Sequence, residues 1–183
     1  MARAPAPGEL ELVERFINTA DVELDADEID SPEKLAAWMR AAGLVGKSEP
    51  AGEAELERAI AIREALRGLA LANNGGPLYP VDLATLNRAA GELDLRLRFG
   101  AGRGARLEAG RGGIEAALGR ILNAVFTAMA DGSWLRLKAC RRHSCRYVFY
   151  DGSKNHSGTW CSMAVCGNRA KAESYRRRRS GAG

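Results

Sequence analysis

Four cysteines are the residues of this chain best suited to chemistry, and all of them fall in one stretch, residues 140–166. Cys140 and Cys145 enclose four residues, Cys161 and Cys166 enclose four more, and 15 residues separate the pairs. Cysteines scattered by chance would rarely make two equal pairs with none left over. Zinc fits such a set best, because it accepts four thiolates in a tetrahedral shell and imposes no geometry of its own. Two residues between sulfurs is the commoner knuckle spacing, so the pairs need support from their surroundings. His143 lies inside the first pair and could replace one thiolate, but with four sulfurs at hand an all-cysteine site is favoured. His156, beside Asn155 and Ser157, reads as a polar loop residue or a phosphate contact. A cysteine nucleophile is not expected, since metal-held thiols are not free to attack and no positioned acid partner is visible. Residues 1–133 hold neither histidine nor cysteine, so no enzyme is expected.

The surroundings sharpen the pattern. Trp160-Cys161-Ser162-Met163 leads into Cys166-Gly167-Asn168-Arg169, with Phe149, Asp151, Ser153 and Asn155 before it and Lys171 after it. This set resembles the CGNR-type zinc finger proteins of bacteria, described as stress-induced transcription regulators with an N-terminal ABATE-type domain. The resemblance reaches the N-terminal half through Phe16-Ile17-Asn18-Thr19 and Ser31-Pro32-Glu33, then Leu35 and Trp38. It implies a DNA-binding regulator whose Cys140, Cys145, Cys161 and Cys166 hold Zn2+, and whose N-terminal domain senses a small ligand or mediates assembly, for example as a homodimer. Asn18, Trp38 and Asn87 are the candidate ligand contacts.

A metal site of this kind must be positioned by a knuckle at each pair. Residues 146–150 alternate as a strand, with Tyr147 and Phe149 on one side and Val148 and Tyr150 on the other. Residues 151–153 turn the chain, Trp160 covers the ion, and a helix from about 168 to 178 follows the last cysteine. Knuckle, hairpin and helix in that order resemble a treble-clef finger. In the helix, Arg169 and Arg176 share a face and Lys171 and Arg178 lie close by, since seven residues make nearly two turns. With Arg177 and Arg179 they present guanidinium and ammonium groups suited to phosphate and to guanine edges. Arg141, Arg142, Arg146 and Lys154 extend this candidate DNA surface from the knuckle side. Asn168 and Arg169 belong to it too, but Asn168 serves equally well as a helix cap and Arg169 as a bridge to Asp151.

Charge divides the chain in the same place. Residues 134–183 hold 12 Lys and Arg against Asp151 and Glu173, a balance of +10, while residues 1–133 hold 15 basic and 21 acidic residues, a balance of −6. A basic tail on an acidic body points to a polyanion for the tail only; the plainer reading makes 176–179 a solubilising terminus. No run approaches the roughly 18 apolar residues of a membrane span, and the Pro-broken start lacks a signal-peptide core, so a cytoplasmic location with reduced thiols is expected.

The body reads as mostly helical with a small β-hairpin, giving an α+β chain with domains at 9–132 and 134–179. Residues 1–8 read as a flexible leader, and Leu10, Val13, Phe16 and Ile17 recur at helical spacing. Asn18 reads more readily as a helix-ending residue than as a ligand contact. Residues 21–30 hold six acids and read as a solvated loop. Ser31-Pro32-Glu33 starts a helix carrying Leu35, Trp38 and Met39, which Gly43 stops. Residues 53–72 form a longer helix on Leu56, Ala59, Ile60, Leu66 and Ala70, with Arg63 and Arg67 making its edge wet. A short helix from 81 carries Leu83, Leu86 and Ala89 or Ala90. Leu93, Leu95, Leu97 and Phe99 alternate as a half-buried strand, and residues 105–109 return beside it. The glycines at 100–104 lack the Lys-Ser/Thr ending of a phosphate loop. A helix over 114–130 uses Ile114, Leu118, Ile121, Leu122, Val125 and Met129.

With the basic tail, the resemblance implies a DNA-binding transcription regulator in the stress response. The rival is a zinc-dependent protein- or RNA-interaction module, or a thiol redox sensor that releases zinc on oxidation.

Overall fold

The computed structural model describes residues 3–101 and 104–180; Gly102 and Arg103 of the glycine turn, residues 1 and 2 of the leader, and the side chains of Arg179 and Ser180 lie outside the described residues. The fold is α+β, with six helices and three two-stranded antiparallel sheets among the described residues. No described helix is long and apolar enough to cross a membrane.

α1 (Leu10–Ile17) buries the four apolar residues its spacing put on one face. The leader is anchored rather than flexible where it is described: Ala6 is buried, its N–H donates to Glu14 at 2.7 Å, and Arg3 bonds the carbonyl of Trp160. After α1, residues 21–30 also depart from expectation. They fold as a minimal hairpin, β1 (Ala20–Asp21) on β2 (Ala26–Asp27), above a fully buried Ile29. Asp27 and Glu23 find cations distant in the chain, Arg63 for the first and Arg142 with Arg169 for the second, while Asp25, Glu28 and Asp30 stay exposed as expected. α2 (Pro32–Ala41) starts as its capping residues require, with the Ser31 hydroxyl accepting from the Lys34 N–H. It buries Leu35, Ala36 and Met39 and leaves Trp38 half-buried, tilted against Phe16 at 5.7 Å between ring centroids.

α3 (Glu53–Ala72) is the central helix, touching α1, α2, α4, α5 and β5. Its Arg63 and Arg67 are not at a wet edge: they are 4% and 6% exposed. Both Arg63 Nη atoms reach the Asp27 carboxylate at 2.7 Å, and Arg67 lies 2.9 Å from Glu64. Burying a guanidinium is tolerable only with such partners. α4 (Pro80–Glu92) packs on α3 through Ala89, with Leu86 half-buried and Leu83 left exposed.

β3 (Arg96–Phe99) pairs with β4 (Ala105–Glu108), Leu97 opposite Leu107. β4 packs on α5 (Gly113–Asp131), but Leu97 and Phe99 stay exposed, so the expected half-burial of this strand stops at Leu93 and Leu95. The close approach depends on Gly119, where a Cβ would stand 2.9 Å from that of Ala109. Five of the six apolar residues expected to line α5 are buried, whereas Met129, near its end, is 46% exposed.

Gly132, left-handed at φ 81°, ends α5, and a 3-10 turn (Ser133–Arg136) buries Trp134. β5 (Leu137–Ala139) then pairs with β6 (Val148–Tyr150), Ala139 opposite Val148. Leu137, Ala139 and Val148 join the core built by the helices, while Phe149 turns to the cysteines. The period of two therefore makes β6 a wall with one face in each cluster.

Candidate metal centre and the basic surface

Local backbone brings the two cysteine pairs together. Cys140 follows β5 and its N–H donates to the Tyr147 carbonyl at 2.9 Å; the Cys145 N–H donates to Arg142 at 3.0 Å, and Arg146 takes a left-handed φ of 55°. Of the second pair, Cys161 lies just before a π-helical turn (Met163–Gly167), capped by Ser162, and Cys166 lies on it; the turn runs without a break into α6 (Asn168–Ser180). The four sulfurs lie within 4.8 Å of one another, with Cys145 to Cys161 at 3.6 Å and Cys161 to Cys166 at 3.7 Å. A tetrahedral zinc with bonds of about 2.3 Å sets its sulfurs about 3.8 Å apart. The spacing is far from the roughly 2 Å of a disulfide, and all four thiols are free.

The thiols cannot all ionise without a cation. Cys140 is held down to about 2 by hydrogen bonds from Cys145 and Cys161. Cys145 and Cys161 are pushed up in turn, first by the neighbouring Cys140 sulfur. A divalent cation removes this conflict by stabilising every thiolate. Neither histidine joins the cluster: His143 Nδ1 faces Arg146 at 3.2 Å, and His156 supplies a carbonyl to Lys138.

Each residue of the Cys-Gly-Asn-Arg run has a physical task. Cys166 is a ligand. A Cβ on Gly167 would stand 2.5 Å from the Met163 sulfur and 3.3 Å from the Trp160 ring, so a larger residue would have to displace the Met163 side chain and press on Trp160. Asn168 donates back to the Ala164 carbonyl at 3.1 Å, joining the π turn to α6. Arg169 does not bridge to Asp151; its guanidinium contacts Glu23 of the β1–β2 hairpin.

Asp151 has other partners. Fully buried, it receives Lys138 at 2.8 Å, the Gly158 N–H at 2.7 Å, the Ser153 N–H at 3.2 Å and Arg3 at 3.4 Å. Burial opposes its charge, but these donors win and hold the carboxyl well below the usual range. Arg3 also lies over the Phe149 ring at 4.2 Å. This polar cluster folds the loop of residues 151–160 that returns the chain to the second cysteine pair.

Sequence reasoning missed the residues that join body and finger. The Asn18 amide pairs with both the N–H and the carbonyl of Val148 at 2.8 Å, as a neighbouring strand would at the free edge of β6. Asn73 bonds the carbonyls of Trp134 and Leu137, and Asn74 those of Ala139 and Thr159, at 2.8–2.9 Å. Arg67 reaches the carbonyls of Ile17, Ala20 and Arg146. Of these residues only Asn18, beside Phe16-Ile17, carried a sequence signal.

Of the candidate DNA contacts, Arg141, Lys154, Asn168, Arg169, Lys171, Arg176, Arg177 and Arg178 are exposed, and Arg142 and Arg146 are partly covered. They form two groups, one on the knuckle and one along α6. The Arg179 side chain lies outside the described residues. Of the candidate ligand contacts, Asn18 and Trp38 line an open cavity of about 490 Å3 with Arg3, Glu14, Arg15 and Tyr147, whereas Asn87 stands exposed on α4 away from it. Burial pushes the Glu14 carboxyl up against the opposing bond from Ala6.

Comparison with known families matches both halves of this arrangement. Residues 136–179 match the CGNR zinc finger, and residues 10–133 match the ABATE family, described as "Putative stress-induced transcription regulator". No curated protein matches the chain. With about two thirds of its length in the ABATE match and a four-cysteine site in the remainder, the chain belongs to the ABATE family and carries a CGNR zinc finger.

Proposed function

We propose that the protein is a non-catalytic, DNA-binding transcription regulator in which Cys140, Cys145, Cys161 and Cys166 hold zinc and the N-terminal region receives a signal. The observation that carries this reading is α6. Every described side chain from 171 to 178 is exposed, on all sides of the helix, and the charges are Lys171, Arg176, Arg177 and Arg178 against Glu173 alone. A helix polar all round gains little from the rest of its own fold. Its exposed positive charge suits a polyanion, because cations on phosphates release counterions.

Zinc would bind the thiolates and fix the angle at which the π turn launches α6. The chain's own residues do the rest. Arg176 to Arg179 neutralise phosphates, Arg141, Arg146 and Lys154 widen the footprint, and Ala170 and Ala172 leave room beside a groove. The cavity beside Asn18 supports a sensing role, since Trp38 comes from the helical body and Tyr147 from the finger. An occupant would touch both, next to the Asn18–Val148 pairing that couples them.

The test is DNA affinity against salt. Replacing residues 176–179 with alanine should weaken binding and flatten the log–log salt slope by about 0.9 for each phosphate no longer neutralised. An unchanged slope would remove the tail from the interface. A redox-sensing reading has one observation in its favour: Cys161 is the ligand that is not buried. Release of zinc at low peroxide, with loss of DNA binding, would decide for it.

A further inference from the structure

Two of the finger's arginines share one acidic neighbour that belongs to the body. Glu23, in the turn between β1 and β2, places Oε1 2.9 Å from Arg142 and in contact with Arg169. Arg142 comes from the first knuckle and Arg169 from the start of α6, so one carboxylate oxygen joins two separate pieces of the basic surface. Asp21 builds the turn that presents it, accepting from the N–H groups of Glu23 and Leu24 at 2.9 and 3.1 Å. The hairpin does not need this contact to stay in place, because Asp27 is held by Arg63 and Ile29 is buried below. An anionic oxygen between two guanidinium groups is the arrangement a phosphate oxygen takes between paired arginines.

We propose that Arg142 and Arg169 form a subsite for a DNA backbone phosphate, and that Glu23 occupies it as an internal competitor in the free protein. The proposal rests on the DNA-binding reading. The arginines hold the Glu23 carboxyl below its usual range, Arg142 first and Arg169 next, so the competitor is charged at neutral pH. Glu23 is tethered beside the site and acts at high effective concentration. Yet Glu23 and Arg169 are partly exposed, at 35% and 48% side-chain exposure, while Arg142 is more covered at 20%. Exposed ion pairs are weak and salt-screened, so the cover lowers DNA affinity without abolishing it. It also penalises isolated anions more than a duplex whose neighbouring phosphates engage α6 at the same time.

The experiment uses the zinc-loaded full chain and a fluorescent mixed-sequence duplex at low salt. Glu23→Gln should bind about threefold to tenfold more tightly than wild type, the scale of two exposed ion pairs. Asp25→Asn, which changes the net charge equally from the same turn, should stay near wild type. In an Arg142→Ala/Arg169→Ala background the gain from Glu23→Gln should vanish. Equal gains from Glu23→Gln and Asp25→Asn, or a gain that survives loss of both arginines, overturn the covered subsite while leaving DNA binding intact. Binding by none of these chains overturns the DNA reading itself, and the cover with it.

Discussion

The helical body and the cysteine finger are held together by different physics. The body buries a continuous set of aliphatic and aromatic side chains on α1, α2, α3 and α5, and its order follows from removing them from water. The finger encloses Cys140, Cys145, Cys166 and Phe149, with Trp160 and Cys161 at their edge, too little apolar surface to order some 40 residues. Metal coordination at the four sulfurs would supply what burial does not. The two are nevertheless not beads on a string. β6 turns Val148 into one cluster and Phe149 into the other, and Asn18, Asn73, Asn74 and Arg67 fasten finger backbone to body. A finger of this kind inherits its orientation from the body, which a flexibly tethered one does not.

The largest effect should come from removing the metal. Cys161→Ser, or a strong chelator, withdraws a contribution that reaches about 10 kcal/mol or more in small zinc domains. Helical circular dichroism from the body should persist while residues beyond Cys140 lose hydrogen-exchange protection. Complete unfolding on chelation would mean that the two regions are one cooperative unit. Next comes Leu66→Ala, which empties part of the fully buried core of α3 and should cost about 2–5 kcal/mol. Denaturation should move accordingly, with zinc stoichiometry by mass spectrometry still at one per chain; lost zinc would tie the site to the body's packing.

Asn18→Ala tests the fastening itself. It strands the backbone N–H and carbonyl of buried Val148 and should cost about 2–3 kcal/mol. Zinc release and loss of helix should move to lower denaturant together; a change in zinc release alone would place the pairing on the finger side only. Acid gives the smallest and most graded separation. Thiolates give up the metal as they take protons. Asp27 behaves differently: burial opposes its charge, but Arg63 and the Ile29 N–H hold its carboxyl below the usual value. A depressed folded pKa contributes stability that is complete above the unfolded value, about 3.9, and is lost as pH falls through the folded one. The finger should therefore lose order at a higher pH than the body, and simultaneous loss would contradict the difference in what holds them.

How much of this was legible depended on whether a signal was local. Cys140, Cys145, Cys161 and Cys166 were readable because ligand type and spacing are covalent facts of the chain. The helices over 53–72 and 114–130 were readable because a 3.6-residue period repeats over many turns. Arg63 and Arg67 were misplaced for the opposite reason. Their burial is permitted by Asp27 and by backbone carbonyls that adjoin them only after folding. The strand at Leu97 and Phe99 followed its alternation but not its expected burial, for both side chains stay exposed.

By itself the sequence determined the four-cysteine set, the helical framework and the separation of charge between the two halves. Those properties are written in residue type and short-range periodicity. Only the tertiary structure decided that an acidic hairpin lies on the arginines of the finger, that Asp151 serves Lys138 and Arg3 rather than Arg169, and that Asn18 completes the edge of β6. Each is a pairing between groups far apart along the chain. Charge and hydrogen-bonding capacity are carried by single residues, but their partners are chosen by the packing of apolar faces that brings them within reach.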